Sequence, residues 1–277
     1  MFIQRINKNK IVFACSLMIF ILSQVSVFAS ETLKNKWGMS FVEIPSGEFK
    51  MGLQDRESAL MEIPEPKEDE LKDELPQHTV KISKAFYMGQ TEVTQHQWFS
   101  IMENKPGPKI QWEQSNWKTL PVVAINWFMG KRFVEEINKL DKDYFYRLPS
   151  EAEWEYVARE GSNDLRSVPL DQLEEYAWFI HNSSDIVHPV ASKKPNKYGV
   201  YDMLGNVWEW VDDWYGPNTY TKSSRVDPKG PNKGLSKVRR GGSFHCPLQL
   251  TRPGYRGANR PNIGYEVVGF RLIAEKR

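Results

Sequence analysis

Cysteine is almost absent: the 277 residues contain two, Cys15 and Cys246. So sparse a supply cannot build a disulfide framework or a thiolate-rich zinc site. Histidine is also scarce. His78, His96, His181, His188 and His245 are scattered without metal-ligand spacing, which argues against a zinc centre. No period of 20–50 residues recurs, so solenoids and propellers are excluded. There is no Gly-x-Ser-x-Gly elbow for a serine hydrolase and no EF-hand spacing. Charge is balanced as well, at a formal +2, and nothing in it suggests nucleic acid or an anionic membrane as partner.

The first segment is different in kind. Arg5, Lys8 and Lys10 precede a mostly apolar run over 11–22, and Val27-Phe28-Ala29 places small or branched residues before Ser30. This pattern predicts a signal peptide over residues 1–29. The run is too short for a spanning helix, which needs about 20 residues. Cys15 lies inside it rather than after it, so lipid attachment is not expected. An uncleaved anchor is the alternative. The expectation is an exported, periplasmic or secreted chain over 30–277 with no stable membrane insertion. Its formal balance shifts from +2 to −1, because the leader carries three basic residues and no acidic one. Cys246 is then its one thiol, either a buried small hydrophobe or a reactive group.

Residues 37–52 read as two short strands about Pro45-Ser46-Gly47. Residues 53–77 hold nine acidic and three basic residues with Pro64, Pro66 and Pro76, which reads as a solvated acidic loop. Alternation over 78–90 marks Val80, Ile82, Phe86 and Met88 as strand residues. Thr94 with Gln97 and Ser150 with Glu153 are capping boxes that open helices. In the second, Glu155 and Arg159 stand at i, i+4 and Gly161 closes the helix. A further helix is predicted over 128–139. Beyond Gly161 the chain is rich in Gly, Pro, Asn and aromatics. The class is α+β with abundant coil.

Two stretches carry chemistry. In 198–214, aromatics alternate with the oxygen donors Asp202, Asn206, Glu209, Asp212 and Asp213. Calcium takes six to eight oxygens, and Asn206 and Glu209 could supply two; an acidic solvated face is the other reading. In 237–246, Gly241-Gly242 allows unusual torsions, while Ser243, His245, Arg239 and Arg240 surround Cys246 in sequence. His245, as the adjacent residue, points to the opposite face of an extended chain and is poorly placed as a base. From 222 to 260 stand ten basic residues and one acid, Asp227. That pattern suggests a positive groove for a peptide or polyanion, or a basic surface offsetting the acidic loop.

Eight stations in order span most of the chain. They are Phe41-Val42-Glu43-Ile44-Pro45 to Met51-Gly52, Pro76-Gln77-His78-Thr79-Val80, Thr91-Glu92-Val93-Thr94 and Pro121-Val122-Val123 to Trp127. Then follow Arg147-Leu148-Pro149-Ser150-Glu151-Ala152-Glu153-Trp154-Glu155, Gly205-Asn206-Val207-Trp208-Glu209-Trp210, Arg240-Gly241-Gly242-Ser243-Phe244 and Gly269-Phe270-Arg271. In these the chain resembles the formylglycine-generating enzyme, or sulfatase-modifying factor, family. The resemblance implies a C-type-lectin-related α+β fold low in regular secondary structure. It implies a structural calcium at Asn206 and Glu209 with carbonyls near Val207 and Trp208, and a second site near Asn182, Ser183 and Asp185. It makes Cys246 a catalytic thiol and Ser243 the active-site serine. The founding activity oxidises a sulfatase cysteine with oxygen and a copper(I) ion held by two cysteines five residues apart. Here Thr251 stands at the second position, and a hydroxyl is a poor copper(I) ligand. The His-rich iron motif of the sulfoxide-synthase relatives is also missing. Two functions follow: an exported oxidoreductase modifying a peptide or peptide-derived substrate through Cys246, of the kind that matures siderophore precursors, or a non-catalytic envelope module using the lectin-like groove.

Overall fold

The computed structural model describes residues 31–277 apart from 66, 68, 70 and 223. The signal-peptide segment and Cys15 lie outside the described residues. Among the described residues, eleven short strands form three sheets. The largest orders β1 (Thr32–Lys34), β2 (Ser40–Ile44), β5 (Phe86–Gly89), β11 (Ile273–Lys276) and β6 (Tyr144–Arg147), joining both ends of the chain. A two-stranded sheet pairs β3 (Gly47–Met51) with β4 (His78–Ile82). Thus the strands flanking Pro45-Ser46 do not pair with each other; the turn sends them to different sheets. The third sheet, in the order β10-β7-β8-β9, carries the chemistry: Val268–Gly269, Trp208–Trp214, Lys237–Arg240 and Gly257–Asn259.

Two helices begin at the predicted capping boxes, and a further one, not expected from the sequence, opens inside the acidic stretch. Helix α1 (Arg56–Met61) follows Asp55, whose Oδ1 accepts the Ser58 N–H at 3.1 Å. At the start of α2 (Gln95–Met102), Thr94 Oγ1 accepts from Gln97 N at 3.2 Å, and Gln97 Oε1 accepts from Thr94 N at 2.9 Å. The single turn α3 covers Lys109–Trp112, and α4 runs over Trp127–Leu140. Ser150 and Glu153 form the same reciprocal pair before α5 (Glu151–Arg159). That helix ends on Glu160 at φ 53°, one residue before Gly161 at 81°. Trp98 stacks on Phe133 at 5.4 Å in one core, while Trp154, Val157 and Val211 fill the other. Among the described residues, no helix is long and apolar enough to cross a membrane.

The acidic stretch 53–77 is not the solvated loop its composition suggests. Leu53, Ala59 and Leu71 are buried as a small core against Leu165. Glu74, 1% exposed, receives both terminal nitrogens of Arg252 at 2.8 and 2.9 Å, and Glu62 is forked by Arg166. Glu62 and Glu74 are neutralised by arginines more than 100 residues away, which local composition cannot display, while Asp55, Glu57, Glu65 and Asp69 stay exposed.

In the basic stretch 222–260, Lys222, Arg225, Lys229, Lys233 and Arg260 are exposed, while four other cations turn inward. Arg240, Arg252 and Arg256 are buried in ion pairs with Glu151, Glu155 and Glu74. Lys237 is enclosed between the rings of Trp127 and Trp214, at 3.9 and 4.0 Å. These cations hold the interior and form no continuous positive surface.

Candidate functional site

Cys246 follows a sharp turn. Gly241 and Gly242 take φ of 100° and 77°, and a Cβ on Gly241 would meet Trp154 at 3.2 Å, so the turn needs glycine there. Three backbone bonds then zip this loop to its neighbours. Gly205 N donates to Gly241 O (2.7 Å), Phe244 N to Asn206 O (2.7 Å), and Ile180 N to Cys246 O (3.0 Å).

The sulfur, in a residue 9% exposed, has two polar neighbours. The indole N–H of Trp208 donates to Cys246 Sγ at 3.2 Å, and the Ser243 hydroxyl lies 3.1 Å from it. Above the same indole sits the guanidinium of Arg239, 4.2 Å from the ring centre, with Tyr255 packed at 5.8 Å. Cys246 and Ser243 are thus brought together, as the sequence predicts. Arg239 was singled out there as a basic neighbour of the thiol, but the part of Trp208 was missed. Trp208 entered only as a carbonyl donor, although its indole two positions from Trp210 on β7 places both rings on one sheet face.

His245 stays apart. It is exposed, and its Nδ1 faces the carboxylate of Asp185. Thr251, fully buried, donates to Leu248 O at 2.7 Å and accepts from Arg166 Nη1 at 3.1 Å. A copper(I) ion held by two thiolates does not fit this pair: one ligand is a hydroxyl, already engaged on both sides. Among the described residues, no cluster of three His, Cys, Asp or Glu is arranged to hold a metal.

The second expected centre adjoins the thiol loop from the other side. Glu209 is fully buried; its carboxylate takes Arg271 Nε and Nη2, both at 2.7 Å, and Trp154 Nε1 at 2.8 Å. Asn206 Oδ1 accepts from His188 N at 3.2 Å, and its amide donates to Glu92 at 3.1 Å. Both side chains expected to face calcium are therefore committed to protein partners. The orphans are elsewhere: buried Glu92 Oε2 and Asp202 Oδ1 have no hydrogen-bond partner. Burial, with Asp202 beside it, pushes the Glu92 carboxyl well above its ordinary range, and burial lifts Asp202 to about 6. Near the second expected site, Asn182 bonds the backbone at Ala177 and Phe179, while Ser183 donates to Phe244 O.

A cleft of about 650 Å³ is lined by Ser83, Lys84, Arg147, Glu153, Asp212 and Lys276 among others, and contains no residue of the Cys246 cluster. Concavity alone would have pointed away from the thiol.

The chain matches the sulfatase-modifying factor enzyme 1-like domain family over residues 29–276. It is 36% identical to a formylglycine-generating enzyme of Streptomyces coelicolor across 168 residues, 54% of this chain and 51% of that enzyme. The chain therefore spans about half the length of that relative. Among solved structures it is similar to PvdO from Pseudomonas aeruginosa, with a TM-score of 0.75 and 27% identity over 89% of this chain and 98% of that one. Treponema denticola variable protein 1 is also similar, with a TM-score of 0.72 and 27% identity over 88% and 98%. With the fold and the order of its motifs in agreement, the chain belongs to the formylglycine-generating enzyme, or sulfatase-modifying factor, family.

Proposed function

We propose that this is an exported family member that modifies a peptide or peptide-derived substrate through the Cys246 thiol, by chemistry altered from the founding copper oxidase. The observation that carries this reading is the built environment of one sulfur: an indole N–H at 3.2 Å, a hydroxyl at 3.1 Å and an arginine over the same indole. Donors fixed around an atom receive negative charge that develops on it without reorganising. Ser243 and Trp208 hold the sulfur in place. The competing reading, a binding or regulatory module, is favoured by Thr251, whose hydroxyl is engaged and offers no second thiolate.

The test joins copper(I) titration, oxygen consumption and peptide mass spectrometry, with cysteine-containing sulfatase-type peptides as probes. A peptide mass change that disappears in Cys246→Ser, at unchanged melting temperature, supports the thiol enzyme. Substrate capture that is indifferent to Cys246→Ser supports the module instead.

Calcium enters in a shifted form. A cation would be held by Asp202 and Glu92, whose unpartnered oxygens need one, together with carbonyls near Val207 and Trp208. Glu209 would keep its bond to Arg271. Chelation should lower the melting temperature of the wild type and leave Asp202→Asn unmoved; equal responses would remove calcium from the account.

A further inference from the structure

We propose that Arg239 is a carboxylate-recognition residue for the substrate of Cys246, so that the group modified lies beside an anion. This rests on the reading of Cys246 as the reacting centre. Each buried arginine among the described residues, namely Arg159, Arg166, Arg240, Arg252, Arg256 and Arg271, has a carboxylate within 2.8 Å. Arg239 has no such ion pair among the described residues. Its Nε is buried and without a hydrogen-bond partner, and its guanidinium carbon lies 4.2 Å from the ring centre of Trp208, the residue whose N–H meets the sulfur.

The space for it is built in. A Cβ on Gly257, opposite on β9, would come within 2.7 Å of Arg239 Cγ and 2.9 Å of its Nε. Absence of a side chain there lets the arginine lie along the sheet. The titratable groups beside it are Cys246, Tyr255 and Tyr265, none of them a carboxylate, and burial lowers its proton affinity. A sheltered guanidinium is a planar fork suited to a carboxylate, and leaving it unpaired is costly. Each buried arginine is thus given a fixed counter-ion. Arg239 is half-buried, stacked on the indole that meets the thiol and without a carboxylate, which suits a transient anion.

Paired alkylating reagents read the property directly. Iodoacetate and iodoacetamide attack the same sulfur and lose the same iodide, but only the first carries a carboxylate. In the full chain, with labelling followed on the Cys246 peptide by mass spectrometry, the iodoacetate-to-iodoacetamide rate ratio is expected about tenfold above that of free cysteine. Arg239→Gln should return the ratio to within about twofold of free cysteine, while Arg239→Lys retains part of it. Gly257→Ala, which leaves Arg239 in the chain but displaces it, should also collapse the ratio. A general effect of positive charge on the sulfur would change both rates together and leave the ratio alone. An unchanged ratio in a natively melting Arg239→Gln overturns the inference while Cys246 keeps its place. Failure of both reagents to label Cys246 overturns the underlying reading, and this inference with it. Short peptides bearing either a side-chain or a C-terminal carboxylate should slow iodoacetamide relative to their neutral amides. The one that protects identifies the source, and protection by neither overturns the proposal.

Discussion

Glu155 is the carboxylate on which the interior turns, and replacing it with glutamine should be among the most damaging isosteric changes in the chain. It is fully buried on α5. Its oxygens take Arg159 Nε at 2.7 Å, Gly52 N at 2.8 Å, the Tyr220 hydroxyl at 3.3 Å and, closest of all, Arg240 Nη2. Glutamine keeps the shape but removes the charge and turns an amide N–H₂ toward a guanidinium. Arg159 would retain only the carbonyls of Gly52 and Asp164. Arg240 would keep the carbonyls of Pro253 and Gly254, and its remaining carboxylate would be Glu151 at 3.3 Å, already shared with Arg256. Removing one partner of a buried ion pair costs about 3–5 kcal/mol. In a domain of this size about 1 kcal/mol moves the melting temperature by roughly 2–4 °C, so Glu155→Gln should melt about 6–20 °C lower. Glu275→Gln, which loosens the half-exposed pair with Arg147, is the control and should shift stability by less than about 1 kcal/mol.

The pH dependence gives a second check. Burial alone would raise the Glu155 carboxyl, but Arg159, Arg240 and the Gly52 N–H outweigh it and hold it below its ordinary value. Its stabilisation is therefore fully present above the unfolded pKa of about 4.3 and is lost as pH falls through the folded value. Calorimetric melts of wild type and variant should differ by a constant amount above about pH 5, with the gap closing below about pH 4. A gap under about 1 kcal/mol at neutral pH would refute the claim that these arginines depend on this carboxylate.

Further outcomes follow from the same contacts. Burial between two tryptophans pushes Lys237 down to about 8, so the unfolded chain binds the extra proton between there and its ordinary value. Wild type should accordingly gain up to about 3 kcal/mol relative to Lys237→Met as pH rises from about 8 to 10.5, measured by urea unfolding. Thr251→Cys should cost about 1–2 kcal/mol, because Arg166 Nη1 loses its hydroxyl acceptor; a more stable variant would count against the bond. Leu53→Ala removes a buried side chain from the small core under 53–77, and should cost about 2–3 kcal/mol and open that segment to limited proteolysis before global melting.

Much of the fold is written locally. The capping boxes at Thr94 and Ser150 place their helices because the hydrogen bonds they encode reach only three residues. Gly241-Gly242 marks the turn because few other residues tolerate those torsions. The order of the eight stations carries the family, and with it the meeting of Ser243 and Cys246. What composition could not reveal is where charges go. The acids of 53–77 and the bases of 222–260 read as two solvated surfaces, yet Glu74 and Arg252, far apart in sequence, neutralise one another in the interior. Likewise Glu209 reads in sequence only as an oxygen donor, and the fold alone brings Arg271 onto its carboxylate. Periodicity and capping are properties of neighbours along the chain. Ion-pair partners, and the absence of one for Arg239 near Cys246, are properties of segments that only the folded sheets bring together.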